Sequence, residues 1–220
     1  MKRIASILLM GVVLTCHSQD QKEERSDLEG HYLSLQVNEL VRQVLSLGNT
    51  NIPDNPYFFN YTYTGPTGSG VNVGLAYSLD NITNVDEFND ISTDISNFSF
   101  RVGYDKKKYL GKKMVYGIGF DLTIDHQKNE TVNSDTFSSQ EIITTNKLSG
   151  WGLGPRFTFS YQITNSIWVG TEANYYFKRL KNKFSLEFSN NPGFGGNDAE
   201  TTIERFTFSA PSILWLSVRL

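Results

Sequence analysis

WGLGPRFTFSYQIT, residues 151–164, is the stretch whose reading decides the fold. Its odd positions are Trp151, Leu153, Pro155, Phe157, Phe159, Tyr161 and Ile163; its even positions are Gly152, Gly154, Arg156, Thr158, Ser160, Gln162 and Thr164. Strict alternation is the signature of a β-strand with two unlike faces. The physical question is which face points into the molecule.

The same period runs along most of the chain, in the segments HYLSLQV (31–37), YFFNYTYT (57–64), VNVGLAYSLD (71–80), NFSFRVGYD (97–105), KMVYGIGFDLTID (113–125), the opening stretch, IWVGTEANYYFK (167–178) and RFTFSAPSILWLSVRL (205–220). These are eight expected strands. NELVRQVLSL (38–47) places Leu40, Val41, Val44 and Leu45 at helical spacing, which predicts a short helix or loop after the first strand. GPTGSG, KKKYLGK and TNS read as tight turns. Longer polar connections fall at 38–56, 81–96, 126–150 and 188–204, with 138–148 extending the fifth and sixth strands. Short and long connections in alternation predict an all-β, up-and-down antiparallel barrel.

One face carries Val71, Val73, Leu75, Phe98, Phe100, Ile118, Phe120, Leu122, Phe157, Phe159, Val169, Leu214, Leu216 and Val218, with no charge among them. The other carries Asn72, Gly74, Ala76, Ser99, Gly103, Gly117, Gly119, Gly152, Gly154, Gly170 and Asn174, together with Arg101, Asp121, Arg156 and Glu172. Alternation alone leaves open a soluble extracytoplasmic β-barrel or sandwich. The polar face favours a different answer. A solvated face usually carries Thr, Lys, Glu and Arg, and glycine there weakens a strand for no return. Small residues fit a narrow lumen filled by side chains. The four charges alternate in sign from strand to strand, so they are expected to pair inside it, leaving the apolar face to lipid. Tyr57, Tyr61, Tyr63, Tyr77, Tyr104, Tyr116, Trp151, Tyr161 and Tyr175 lie toward strand ends, where interfacial girdles would sit.

Composition agrees with a globular or membrane β-protein. The 220 residues are 39% hydrophobic and 20% charged, with a net charge of −3, which favours neither disorder nor nucleic-acid binding. The N-terminal MKRIASILLMGVVLTCHSQD reads as a secretory signal peptide over residues 1–18, with 19–30 a flexible lead-in and 31–220 the barrel. Cys16 either leaves with the signal or becomes a lipid-modified first residue; in the first case no cysteine remains for a disulfide.

Signal, alternating strands, alternating turn lengths and the terminal ILWLSVRL together resemble the small OmpA-type or OmpX-type outer-membrane β-barrels of Gram-negative bacteria. The resemblance rests on pattern, and Leu220 stands where such barrels usually end in Phe. It implies a monomer among outer-membrane lipids, inserted by outer-membrane machinery that recognises the last strand, with termini and tight turns in the periplasm and long connections outside. KKKYLGKK (106–113) would then be a periplasmic turn near lipid headgroups. Lys178, Arg179, Lys181 and Lys183 would rise at the outer rim toward lipopolysaccharide phosphates.

Catalytic barrels of this membrane resemble one another in placing a His and a Ser near the outer rim. Here His126, with Glu130, Ser134, Ser138 and Ser139 after it, is the nearest approach. Nothing in the spacing requires catalysis, and no enzyme activity, cofactor or metal is expected. His31 with Glu29 and Asp27 is too sparse for a transition-metal site, and Asp86, Glu87, Asp90 and Asp94 lack calcium-loop spacing. The expected role is therefore structural or surface-interacting. A small pore and a lipid-modifying enzyme are the alternatives.

Overall fold

The computed structural model describes residues 28–37, 57–85, 89–135, 141–188 and 198–220. The expected signal peptide, Cys16, the segment 38–56, Asp27, Asp86, Glu87, Ser138, Ser139 and most of 190–198 lie outside these residues. Eight antiparallel strands close into one barrel in chain order: β1 (Gly30–Gln36), β2 (Tyr57–Thr64), β3 (Ser69–Val85), β4 (Asn89–Leu110), β5 (Met114–Asp135), β6 (Glu141–Gln162), β7 (Ile167–Phe188) and β8 (Ala199–Arg219). Closure is made by β1 on β8, with Tyr32 opposite Arg219 and Leu35 opposite Leu216. All eight expected strands are present.

Their lengths differ from expectation on one side. β4, β5, β6 and β7 each run 22 residues, so most of 81–96 and 126–135, expected as loops, continues as paired strand, while residues 141–148 extend β6 as expected. Asn81 faces Asp94, and Lys128 faces Lys147, well beyond the alternating segments. These extensions are polar on both faces, and polar residues in a strand paired on both sides look like loop when only periodicity is read.

The first and last short turns fall where expected, but KKKYLGK does not: Lys106 to Leu110 continue β4 in pairing with β5, the turn narrows to residues 111–113, and Lys107, expected in a turn near lipid headgroups, points inward beside Asp105. Gly68 and Gly111 take φ of 76° and 82°, the left-handed region a tight turn requires and glycine adopts without strain. Thr164 Oγ1 accepts the backbone N–H of Ser166 and Ile167 at 3.3 and 3.0 Å, fixing the β6–β7 turn. One irregularity interrupts the ladder: register shifts between Glu172 and Asn174 on β7, opposite the part of β8 that contains Pro211. Proline cannot donate to a ladder, so a bulge is where it is tolerated.

The two faces sort as expected, polar inward and apolar outward. Phe120 and Phe157 are 53% and 51% exposed, whereas Arg156 is 3% and Asp121 0% exposed. Glycine on the inner face makes room. A Cβ on Gly103 would lie 1.9 Å from Asp121 Oδ1; on Gly154, 2.0 Å from the Tyr175 carbonyl oxygen; on Gly117, 2.4 Å from Thr158 Oγ1. The lumen is not only small and polar, however. Tyr32, Trp168, Tyr176, Trp215 and Leu180 are buried in it, and Phe58 packs edge-on against Trp215. At the turn end Leu28, Tyr32, Val115 and Trp168 form an apolar plug, with Tyr32 donating to the Leu28 carbonyl at 2.8 Å. The last residues of the expected lead-in are therefore packed, Leu28 beneath β1 and Gly30 within it.

Gly103→Ala is expected to destabilise the refolded protein by about 1–3 kcal/mol, the usual penalty of overpacking. Gly65→Ala, whose Cβ would meet only the Ser69 carbonyl oxygen at 3.5 Å, is expected to be mild. Urea midpoints of the two variants test the pair.

Candidate functional site

The centre of the lumen holds the polar site. Arg101 on β4, Asp121 on β5, Arg156 on β6 and Glu172 on β7 all point inward, as the inner-face parity of their strands dictates. All four meet. Arg101 donates through Nη1 to Glu172 Oε1 at 2.7 Å and through Nη2 to Oε2 at 3.3 Å, a two-pronged pairing across the barrel. Arg156 Nε lies 3.0 Å from Asp121 Oδ2, and its Nη1 is 3.7 Å from Glu172 Oε2. Arg101 Nε also approaches Asp121 Oδ2, at 3.8 Å.

Four further charged or polar side chains join the cluster, among them Asn60, whose Oδ1 accepts from Arg101 Nη2 at 3.4 Å. Asp105 accepts from Arg156 Nη2 at 3.4 Å and lies 3.9 Å from Lys107 Nζ. Tyr176 donates its hydroxyl to Asp121 Oδ2 at 2.7 Å. The charges balance: Arg101, Arg156 and Lys107 stand against Asp105, Asp121 and Glu172. Balance matters because an unpaired ion in this interior would carry a desolvation penalty of several kcal/mol. Parity carries a signal for the added members: Asp105 and Lys107 continue the face of Arg101, and Tyr176 that of Glu172. Arg101 also lies over the Phe58 ring, 4.8 Å from its centroid, and Lys107 over Tyr32 at 5.2 Å. Aromatic and apolar groups thus flank the ions along the barrel axis.

Chemically, this cluster is suited to structure. Each carboxylate is engaged by a guanidinium or ammonium, and aromatic rings pack beside Arg101 and Lys107. Among the described residues no group of three or more His, Cys, Asp or Glu side chains is placed to hold a metal ion.

The other predicted residues are placed as follows. Lys178 faces inward and pairs with Asp125 at 2.7 Å, while Asp125 also accepts from Ser99. Arg179, Lys181 and Lys183 face outward; Arg179 pairs with Glu204 at 3.4 Å, and Lys181 and Lys183 share Glu200 at 3.2 and 3.4 Å. Hydrogen bonding from Lys181 holds the Glu200 carboxyl below its ordinary range, so these exposed pairings weaken only as acid protonates it. Alternation therefore divides the basic run between two faces, and the outward part has acidic partners. His126 does not gather Glu130 and Ser134 into a triad. Its Nδ1 lies 2.7 Å from Ser149 Oγ on the neighbouring strand, on the outer face. His31 Nδ1 lies 2.6 Å from the Tyr61 hydroxyl, its ring against Tyr63, within the aromatic set at the turn end.

Glu172→Gln keeps the shape but leaves two guanidiniums facing one fewer carboxylate. It is expected to destabilise the barrel by about 3–5 kcal/mol, whereas Glu204→Gln, at an exposed pair, is expected to change little. Chemical unfolding of the two variants checks this difference.

Protein-family models, characterised proteins and solved structures give no match to this chain, so its functional reading rests on the geometry above.

Proposed function

We propose that the chain is an integral outer-membrane β-barrel with a lumen sealed by side chains, and that its role is structural or surface-interacting through the hairpins that extend beyond the lipid. The observation that carries this reading is the radial inversion. Charged and amide side chains are buried at the axis while a continuous belt of Leu, Ile, Val and Phe lies exposed around the outside. In water such a belt would far exceed the roughly 300–600 Å² apolar patch of a typical monomer. Against acyl chains the same surface is favourable.

The belt has the right height. Outward apolar residues run from Met114 to Ile124 on β5 and from Trp151 to Tyr161 on β6. A tilted strand crosses a bilayer in about 9–11 residues. The remaining length of the long strands would stand above the surface. Tyr63 and Tyr161 near the short turns, and Tyr77, Trp151 and Tyr175 at the opposite edge, supply groups that favour the two interfaces. By the resemblance to OmpA-type barrels, the turn end faces the periplasm and the hairpin end faces outward.

A pore is disfavoured by the Arg101–Glu172 and Arg156–Asp121 pairs, which occupy the axis of a barrel only wide enough for side chains. The His126–Ser149 pair is the one observation that favours an enzyme, and no third group orients it among the hydrogen bonds described. His126→Ala is expected to leave the lipid A profile of producing cells unchanged.

The membrane reading is tested by a heat-modifiability gel on membrane fractions. A folded band that resists detergent and shifts on boiling is expected, and recovery in the soluble periplasm would contradict it. Phe157→Arg, at mid-belt, is expected to cost about 2–4 kcal/mol of folding stability in lipid. Planar bilayers should register no stable, large open channel.

A further inference from the structure

The outer face of the hairpin extensions carries a feature that only strand register reveals. Lys128 on β5 stands directly opposite Lys147 on β6, and Lys147 directly opposite Lys183 on β7. Three ammonium groups thus line up across adjacent strands on one face. Like charges directly opposite each other destabilise a sheet. Sequence separation hides this row, because the three lysines come from three different strands.

Nearby carboxylates offset it only in part. Lys128 pairs with Glu130 at 2.6 Å, and Lys183 shares Glu200 with Lys181. No partner is found for Lys147 among the described residues. The row is also local. On the β3–β4 side the extension carries Asp80, Asp90 and Asp94 instead, and the whole chain is net negative. A general basic coat for nucleic acid is therefore not what the surface offers.

Its position relative to the belt is specific. Directly below Lys147 on the same face come Ser149 and then Trp151; below Lys128 come His126 and then Ile124. The cations begin where the apolar surface ends, separated from it by one small or polar step.

We propose that Lys128, Lys147 and Lys183 form a docking surface for the phosphate groups of an outer-leaflet saccharolipid, whose acyl chains lie along the apolar face below Trp151 and Ile124. This rests on the membrane reading and deepens it by naming the strand faces and the headgroup chemistry. Cross-strand neighbours lie about 4.5–5.5 Å apart at Cβ, so adjacent lysines can reach one phosphate together. Lys181, beside Lys183 on β7, supplies a fourth cation to the same patch.

The test uses the full-length chain without its first 18 residues, refolded in a non-ionic detergent. Native mass spectrometry reads adduct formation with bisphosphorylated lipid A, with dephosphorylated lipid A and with inorganic phosphate. Wild type is expected to retain the bisphosphorylated lipid preferentially. The triple variant Lys128→Gln, Lys147→Gln, Lys183→Gln is expected to lose about fivefold in affinity per lysine removed. The pair Lys106→Gln, Lys108→Gln at the turn end should bind as wild type does. Equal binding by the triple variant, or equal binding of the dephosphorylated lipid, overturns the proposal, as does binding of phosphate without preference for the lipid. If the triple variant fails to fold, the single Lys147→Gln is read instead, with the same criteria. A gel-shift control in each sample separates loss of this surface from failure of the barrel itself.

Discussion

The interaction on which this barrel depends is the neutral cluster of three cations and three carboxylates at its axis. Closing eight strands into a cylinder forces every second side chain inward, and the space there admits few of them. Two arginines placed in that space need carboxylates on neighbouring strands at the same height. The register supplies them: Asp121 sits beside Arg156 and Arg101, and Glu172 meets Arg101 in a two-pronged pairing. Glycines at 103, 117, 119 and 154 are the counterpart of this cluster, since a methyl group at any of them would collide with the carboxylates, hydroxyls or backbone that occupy the lumen.

Buried ion pairs seldom add stability over well-packed apolar side chains of the same size, because desolvation offsets most of the attraction. What such a cluster supplies is specificity. A slip of one residue would turn Arg156 outward and Phe157 inward, and a slip of two would separate the opposite charges by more than hydrogen-bonding distance. Within the outer apolar belt little distinguishes one register from the next, so there the inner charges define the pairing. The ring pairs Phe58–Trp215 and Tyr32–Trp168 pack inside the same barrel.

Much of this was legible in the sequence, and the limits have physical causes. The eight strands, their two faces and the set Arg101, Asp121, Arg156 and Glu172 follow from period-two alternation, which registers directly which residues share a side. Asp105, Lys107 and Tyr176 lie at the same parity as the named charges; the signal was present, but nothing in one strand says how high its neighbour stands. The inward aromatics were obscured because Trp168, Tyr176 and Trp215 sit among apolar residues of the opposite face, where alternation is locally lost. The extensions over 81–96 and 126–135 read as loops because polar residues fill both of their faces, whereas residues 141–148 keep enough β-propensity to be read as strand. Lys128, Lys147 and Lys183 are far apart along the chain, so only the pairing of β5, β6 and β7 aligns them.

The proposed role follows from which surface meets which solvent, and that can be read residue by residue. With Cys16 replaced by serine, a nitroxide is placed in turn at positions 153 to 161 of the refolded chain in lipid vesicles. Collision with oxygen, which concentrates in acyl chains, is compared with collision with a water-soluble nickel chelate. Membrane insertion with the apolar face outward predicts high oxygen accessibility at Phe157 and Phe159, with neither reagent reaching Arg156. Nickel accessibility at Phe157 and Phe159 equal to that of an exposed hairpin site such as Lys147 would contradict it.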